Sequence, residues 1–264
     1  RAVPLWNGST FTMTDTGGEL SQATTDSTKS PAAVANNSNY DLFVWSDGGT
    51  MRCTRGPAWA SDTARHSGSA SELELLQGFY VNKYDITNGP VARYGIYVGT
   101  VRSNGSSQID WIIGGNNTLA KLFVWNAYNR VDASANVIES SSASWAYTTT
   151  TWRRMNANSN IEIQIIRGLN YDSIDASTVQ SMTATSTPAV GIGIDWSSGA
   201  PSTSDLWSFG AAGGAFGTVV TQVRRPVGIG YRTLTAIEKG NTGATFYGAS
   251  SDNWNCGISC IVKA

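Results

Sequence analysis

Twelve short runs of β-branched and aromatic residues, punctuated by Gly, Asn, Asp and Pro, are spread over the 264 residues of the chain. They span 41–45, 50–54, 73–81, 94–102, 109–113, 121–125, 161–167, 190–194, 219–223, 232–238, 244–247 and 257–262. Runs this short suit strands, whose side chains alternate between two faces. Turn pairs lie among them, such as Asn7-Gly8, Asp47-Gly48, Asn88-Gly89 and Asn104-Gly105, and these residues accept the positive φ of tight hairpins. The rhythm predicts an all-β fold: a jelly-roll-like β-sandwich with long Gly- and Ser-rich aromatic loops and little helix. A single sandwich over 36–264 accounts for the length. Residues 1–35 are short of large apolar side chains after Phe11 and read as an extended N-terminal arm or attachment segment. One or two helical turns are predicted over 175–182, with Asp175 as cap.

Charge excludes several functions. Only 14% of residues are charged, against roughly 25% in an ordinary soluble domain, and the formal net charge is -1. A chain so balanced has no field for phosphate backbones, so nucleic acid is not expected as a partner. No apolar run approaches the ~18 residues of a membrane span, so membrane insertion is not expected either. The three cysteines form no disulfide framework. In an extended strand Cys256 and Cys260 would stand roughly 13 Å apart, beyond bridging distance; a bend would be needed to join them. Cys53 reads as core.

The single histidine, His66, lies in a polar stretch beside Arg65. It cannot build a His-rich zinc site and makes a poor start for a catalytic triad. No Gly-x-Ser-x-Gly elbow, phosphate loop or calcium loop is present, and no cofactor or metal is expected. Catalysis could still rest on a carboxylate pair of the glycosidase kind, roughly 5–9.5 Å apart. Asp110, Asp172, Asp175, Asp195 and Asp205 lie near aromatic residues and are the candidates. The ten tryptophans divide by context. Trp45, Trp111, Trp125 and Trp152 sit in or beside apolar runs and are expected in the core. Trp59, Trp196, Trp207 and Trp254 lie among Gly, Ser, Asn and Asp. With Asp195, Asp205 and Tyr247 they are the candidates for binding a glycan or a partner. An aromatic plane with a polar rim matches a pyranose ring. The competing role for these rings is to pin loops or fill a subunit interface.

Several longer strings resemble a widespread family of bacteriophage virion structural proteins of tail-fibre or head-fibre type. They include YDLFVWSDGGTMRCTRGPAWASDTAR at 40–65, ITNGP at 86–90, YVGTVRSNGSSQIDWIIGG at 97–115, VWNAYNRV at 124–131 and SWAYTTTTWR at 144–153. The resemblance covers roughly 20–180, with a looser segment at 236–248. It implies a non-enzymatic module on the particle surface that contacts other virion proteins and a host-surface glycan. By analogy with phage fibres it implies a homo-oligomer, a trimer. It carries no catalytic motif. A capsid decoration protein and a capsule-degrading spike are the alternatives.

Overall fold

In the computed structural model, which describes residues 2–201, 207–209, 216–250 and 256–264, the chain is built almost wholly from strands. The first eight are β1 (Ala2–Trp6), β2 (Phe11–Asp15), β3 (Asn39–Asp47), β4 (Thr50–Ala58), β5 (Leu73–Leu76), β6 (Phe79–Asn82), β7 (Ile96–Arg102) and β8 (Trp111–Ile112). Next come β9 (Gly114–Asn116), β10 (Ala120–Leu122), β11 (Val124–Asn126), β12 (Asp132–Ile138), β13 (Ser144–Ala146), β14 (Trp152–Arg154) and β15 (Glu162–Arg167). The rest are β16 (Ile174–Thr183), β17 (Ala189–Ile194), β18 (Trp207–Phe209), β19 (Phe216–Arg225), β20 (Gly230–Lys239), β21 (Thr245–Tyr247) and β22 (Gly257–Lys263). Among the described residues no helix is long and apolar enough to cross a membrane.

One seven-stranded sheet has the order β18-β17-β20-β15-β10-β8, with β14 also paired to β20. Another runs β13-β21-β16-β22-β12-β9, with β19 on β16. Their facing sides enclose the main core. Ile163, Ile165, Ile192 and Leu234 from the first sheet pack with Ala135, Ala176, Ile258 and Cys260 from the second. Bulky side chains thus meet small ones, which lets the two layers interdigitate at close-packed density. This is the sandwich that the strand rhythm predicts.

A third sheet, β4-β3-β7-β6-β5 with β11 on β7, lies on the far side of the first. Its Phe43, Tyr97 and Trp125 cluster with Ile166, the neighbour of Ile165 on β15. Adjacent residues of a strand point to opposite faces, so the first sheet is the middle layer and is covered on both sides. That position buries β15 on both faces, so its Glu162 and Arg167 are buried along with its isoleucines.

Asp47-Gly48-Gly49-Thr50 forms the expected hairpin, with Asp47 opposite Thr50. The expected helix over 175–182 is absent; these residues lie in β16. Their pattern has period two: Ala176, Thr178 and Gln180 are buried, while Asp175 is exposed and Ser177 and Val179 half-buried. Pairing on both sides, to β19 and β22, satisfies the backbone that a short isolated helix would leave to itself. Ahead of residue 36 the chain is not extended throughout. β1 and β2 form a hairpin, and Leu5, Val3, Phe11 and Leu20 pack with Val44, Val81 and Ile96 of the third sheet. Cys256 and Cys260 are buried free thiols and Cys53 is a half-buried one. Burial pushes the first two up to about 12, so both stay protonated and unreactive.

The core expectation fails at Trp111. Residues 111–116 leave the edge of the middle sheet, where β8 pairs antiparallel to β10, and join the second sheet, where β9 pairs parallel to β12. At this crossing Trp111, Ile112 and Ile113 are 46%, 38% and 60% exposed. The apolar run that resembles a core strand is an outer edge.

Candidate functional site

Two of the seven candidate residues meet in one place. Asp195 and Trp196 follow the end of β17 and line an open cleft of about 570 Å³. Asp62, Arg154, Glu162 and Tyr231 complete its walls, with Thr63, Ser197 and Thr233 between them. Asp195 adopts a left-handed backbone, with φ of 52°. Its amide donates to the Thr233 carbonyl at 2.9 Å, and its carboxylate accepts from the Thr233 amide at 3.0 Å and from Arg232 Nη1 at 2.6 Å. The chain therefore turns at a point clamped to β20. Trp196 folds back over Gly193, where a Cβ would collide with the indole side chain. Its Nε1 donates to the Gly199 carbonyl at 3.1 Å. The ring is thus tied at both ends and remains half-buried.

Tyr231 is fixed from three sides. The Arg102 guanidinium lies 3.8 Å from its ring centroid, and Phe123 meets it edge-on at 6.0 Å. Its amide donates to the Asp62 carbonyl at 2.7 Å. The preceding residue must be glycine: Gly230 has φ of 87°, and a Cβ would strike that same carbonyl. Burial, then the charges of Glu162, Asp62 and Asp195, hold the Tyr231 phenol well above its ordinary range. It is therefore a neutral hydroxyl at any physiological pH.

Each carboxylate of the cleft has its own guanidinium. Asp62 pairs with Arg102 at 2.7 Å, Glu162 with Arg154 at 2.6 Å and Asp195 with Arg232 at 2.6 Å. Glu162 also accepts from Thr235 at 2.9 Å and Gln164 at 2.9 Å. Such groups are oriented acceptors with their charge already met. Among the described residues no group of three or more His, Cys, Asp or Glu side chains is placed to hold a metal ion.

The other candidates lie elsewhere. Trp59 is 6% exposed, buried beneath Arg65, whose guanidinium sits 4.2 Å from the ring centroid. It pins a loop and offers no platform, because the turn after β4 folds back over the third sheet. Tyr247 belongs to β21 of the second sheet, where its ring packs on Phe216 at 5.5 Å, and it does not line the cleft. Trp207 lies in β18, opposite Gly191 of β17. Asp205 and Trp254 fall outside the described residues. Of the other acidic candidates, Asp110 pairs with Lys121 at 2.9 Å, Asp172 with Arg130 and Arg167, and Asp175 is exposed on β16.

Sequence reasoning missed Tyr231, Glu162, Arg154 and Asp62. They are spread over positions 62 to 231 and meet because β14 and β15 both pair with β20 and the Asp62 carbonyl bonds the Tyr231 amide. One local signal was present: Gly228 and Gly230 precede Tyr231 closely enough to mark an aromatic held by a tight backbone. The chain matches no protein-family model, and no curated protein is significantly similar to it.

Proposed function

We propose that the chain is a non-enzymatic module of a bacteriophage particle surface, part of a fibre or spike, which attaches to host-surface glycans through the Trp196–Tyr231 cleft. The observation that carries the binding role is the makeup of that cleft. A tethered indole and a neutral phenol stand beside three carboxylates, each oriented by an arginine. An apolar ring face can lie on the indole while sugar hydroxyls donate to the fixed acceptors. A glycosidase needs instead one carboxyl kept protonated and another free to attack or activate water, and ion-paired acceptors fit neither role. The virion setting rests on the family resemblance of the strings at 40–65, 97–115 and 124–131.

Weak single sites of this kind serve attachment when repeated on an oligomer, and a homotrimer is the assembly we propose. A glycan array probed with the wild-type chain and with Trp196→Ala tests the reading. Binding by the wild type that falls at least tenfold in the variant, with an unchanged melting temperature, supports it. A wild-type chain that binds no glycan overturns it. Release of reducing sugar from host capsule, lost on changing Asp195, would move the chain to the capsule-degrading class.

One observation favours a second reading, that of a structural or decoration protein. The exposed Trp111-Ile112-Ile113 edge has the character of a surface that neighbouring subunits cover. Locating the chain in an image of the particle separates the two.

A further inference from the structure

A second concavity, of about 580 Å³, opens where the β1–β2 hairpin meets the third sheet. Trp6, Tyr84 and Tyr94 supply aromatic walls, and Glu74, Lys83 and Arg93 supply charge. Tyr84 and Tyr94 are 39% and 41% exposed. Trp6 is braced by Phe11, at 5.2 Å between centroids, which in turn packs on Phe79 at 4.8 Å. Across the opening the Tyr94 hydroxyl fits against Gly8, where a Cβ would stand 3.1 Å from it.

The loop carrying both tyrosines is held from beneath by Asn82, a fully buried side chain at the end of β6. Its Nδ2 donates to the carbonyls of Tyr84 and Val91 at 2.9 Å each, and its Oδ1 accepts from the Gly95 amide at 2.8 Å. Asp85 adds a bond from the Ala92 amide at 2.7 Å. Arg93 is held in a left-handed backbone with φ of 74°, its amide donating to the Asn82 carbonyl at 2.7 Å. Strained backbone persists only where its surroundings enforce it, and such positions cluster at binding sites. Three side chains are therefore presented rigidly, which lowers the entropy cost of binding.

The charges differ from those of the first cleft. Arg93 spends Nε and Nη2 on Glu74, at 2.9 and 3.0 Å, while its side chain stays 54% exposed. The Nη1 edge is left over. Lys83, paired with Glu72, stands on the same wall with its ammonium 5.6 Å from the Tyr84 ring centroid. A guanidinium edge and an ammonium beside aromatic planes match a ring that has an apolar face and a carboxylate.

We propose that this concavity is a second saccharide site, selective for acidic hexopyranoses of the uronic-acid type. The proposal extends the glycan-attachment reading but uses none of the residues of the first cleft. The test is an array of galacturonate-, glucuronate- and mannuronate-containing oligosaccharides beside neutral ones, probed with the full chain. The variants are Arg93→Gly, which keeps the left-handed backbone, Tyr84→Ala, and Trp196→Ala as control. Uronate binding is expected to fall at least tenfold in the first two, to persist in Trp196→Ala, and to weaken with added salt. Thermal melting of each variant establishes that it folds. The proposal fails if no uronate oligosaccharide binds, or if binding survives both Arg93→Gly and Tyr84→Ala. Neutral glycans lost only in Trp196→Ala, with no uronate bound, would leave the first cleft standing and remove this one.

Discussion

Glu238 is a carboxyl with no access to water, yet it carries two polar or charged side-chain neighbours. Trp145 Nε1 donates to both of its oxygens at 3.0 Å, and Arg153 reaches it at 2.7 Å. Burial outweighs these contacts and raises it to about 7. A carboxyl whose folded value lies above its unfolded one favours the native state at low pH. That contribution is complete below about 4.5 and is lost as pH rises through about 7. The amount at stake is about 3 kcal/mol. The Glu238→Gln variant keeps the shape without the titration, so its melting temperature should gain on the wild type between pH 5 and pH 8. A variant that instead loses ground across that window would mean that the Arg153 pair outweighs the burial cost. Gly230 sets a second test at this scale. Gly230→Ala forces a Cβ into the Asp62 carbonyl at a positive φ, and we expect a loss of about 2–3 kcal/mol in denaturant titrations. Weakened glycan binding should accompany it, because Asp62 and Tyr231 are displaced together.

Among elements, β8 is the most informative. A middle-sheet edge with three consecutive exposed apolar residues is an invitation to pair with another chain. Ile113→Lys should reduce the proposed oligomer in sedimentation without lowering the melting temperature, since Ile113 contributes little to the core at 60% exposure. An unchanged oligomer would place the subunit contact elsewhere. Other elements show how far local patterns reach. The hairpin after Trp45 was legible because its turn chemistry is contained in four residues. At 175–182 the alternation of small buried and polar outward residues was equally local, but the Asp and Ser there also suit a helix start. The choice was made by partners on both sides, in β19 and β22. Trp111 was misplaced because apolar runs look alike whether a strand lies at an edge or inside. Trp196 and Asp195 stood out through their Gly- and Ser-rich setting, whereas Glu162 and Arg154 gave no sign, lying within strands whose neighbours are set by topology.

For the whole molecule, a buried ion pair adds to the apolar packing that joins the third sheet to the first. Arg65 donates Nε and Nη2 to Asp41 at 2.6 and 2.8 Å, and Nη2 also to the Gly168 carbonyl just beyond β15, at 3.0 Å. Asp41 is 1% exposed. Arg65→Ala would strand that carboxylate in the interior, a loss of about 3–5 kcal/mol. The third sheet should then melt ahead of the sandwich, seen in calorimetry as two transitions in the variant against the single one expected of the wild type. A further consequence attaches to the order β16-β22-β12. The strand at the centre of the second sheet comes after both of its neighbours in the chain, and β12 waits more than a hundred residues for it. Until β22 emerges from the ribosome, the facing edges of β16 and β12 lack their shared partner. Nascent chains crowded on one messenger can exchange this strand before each fills its own slot.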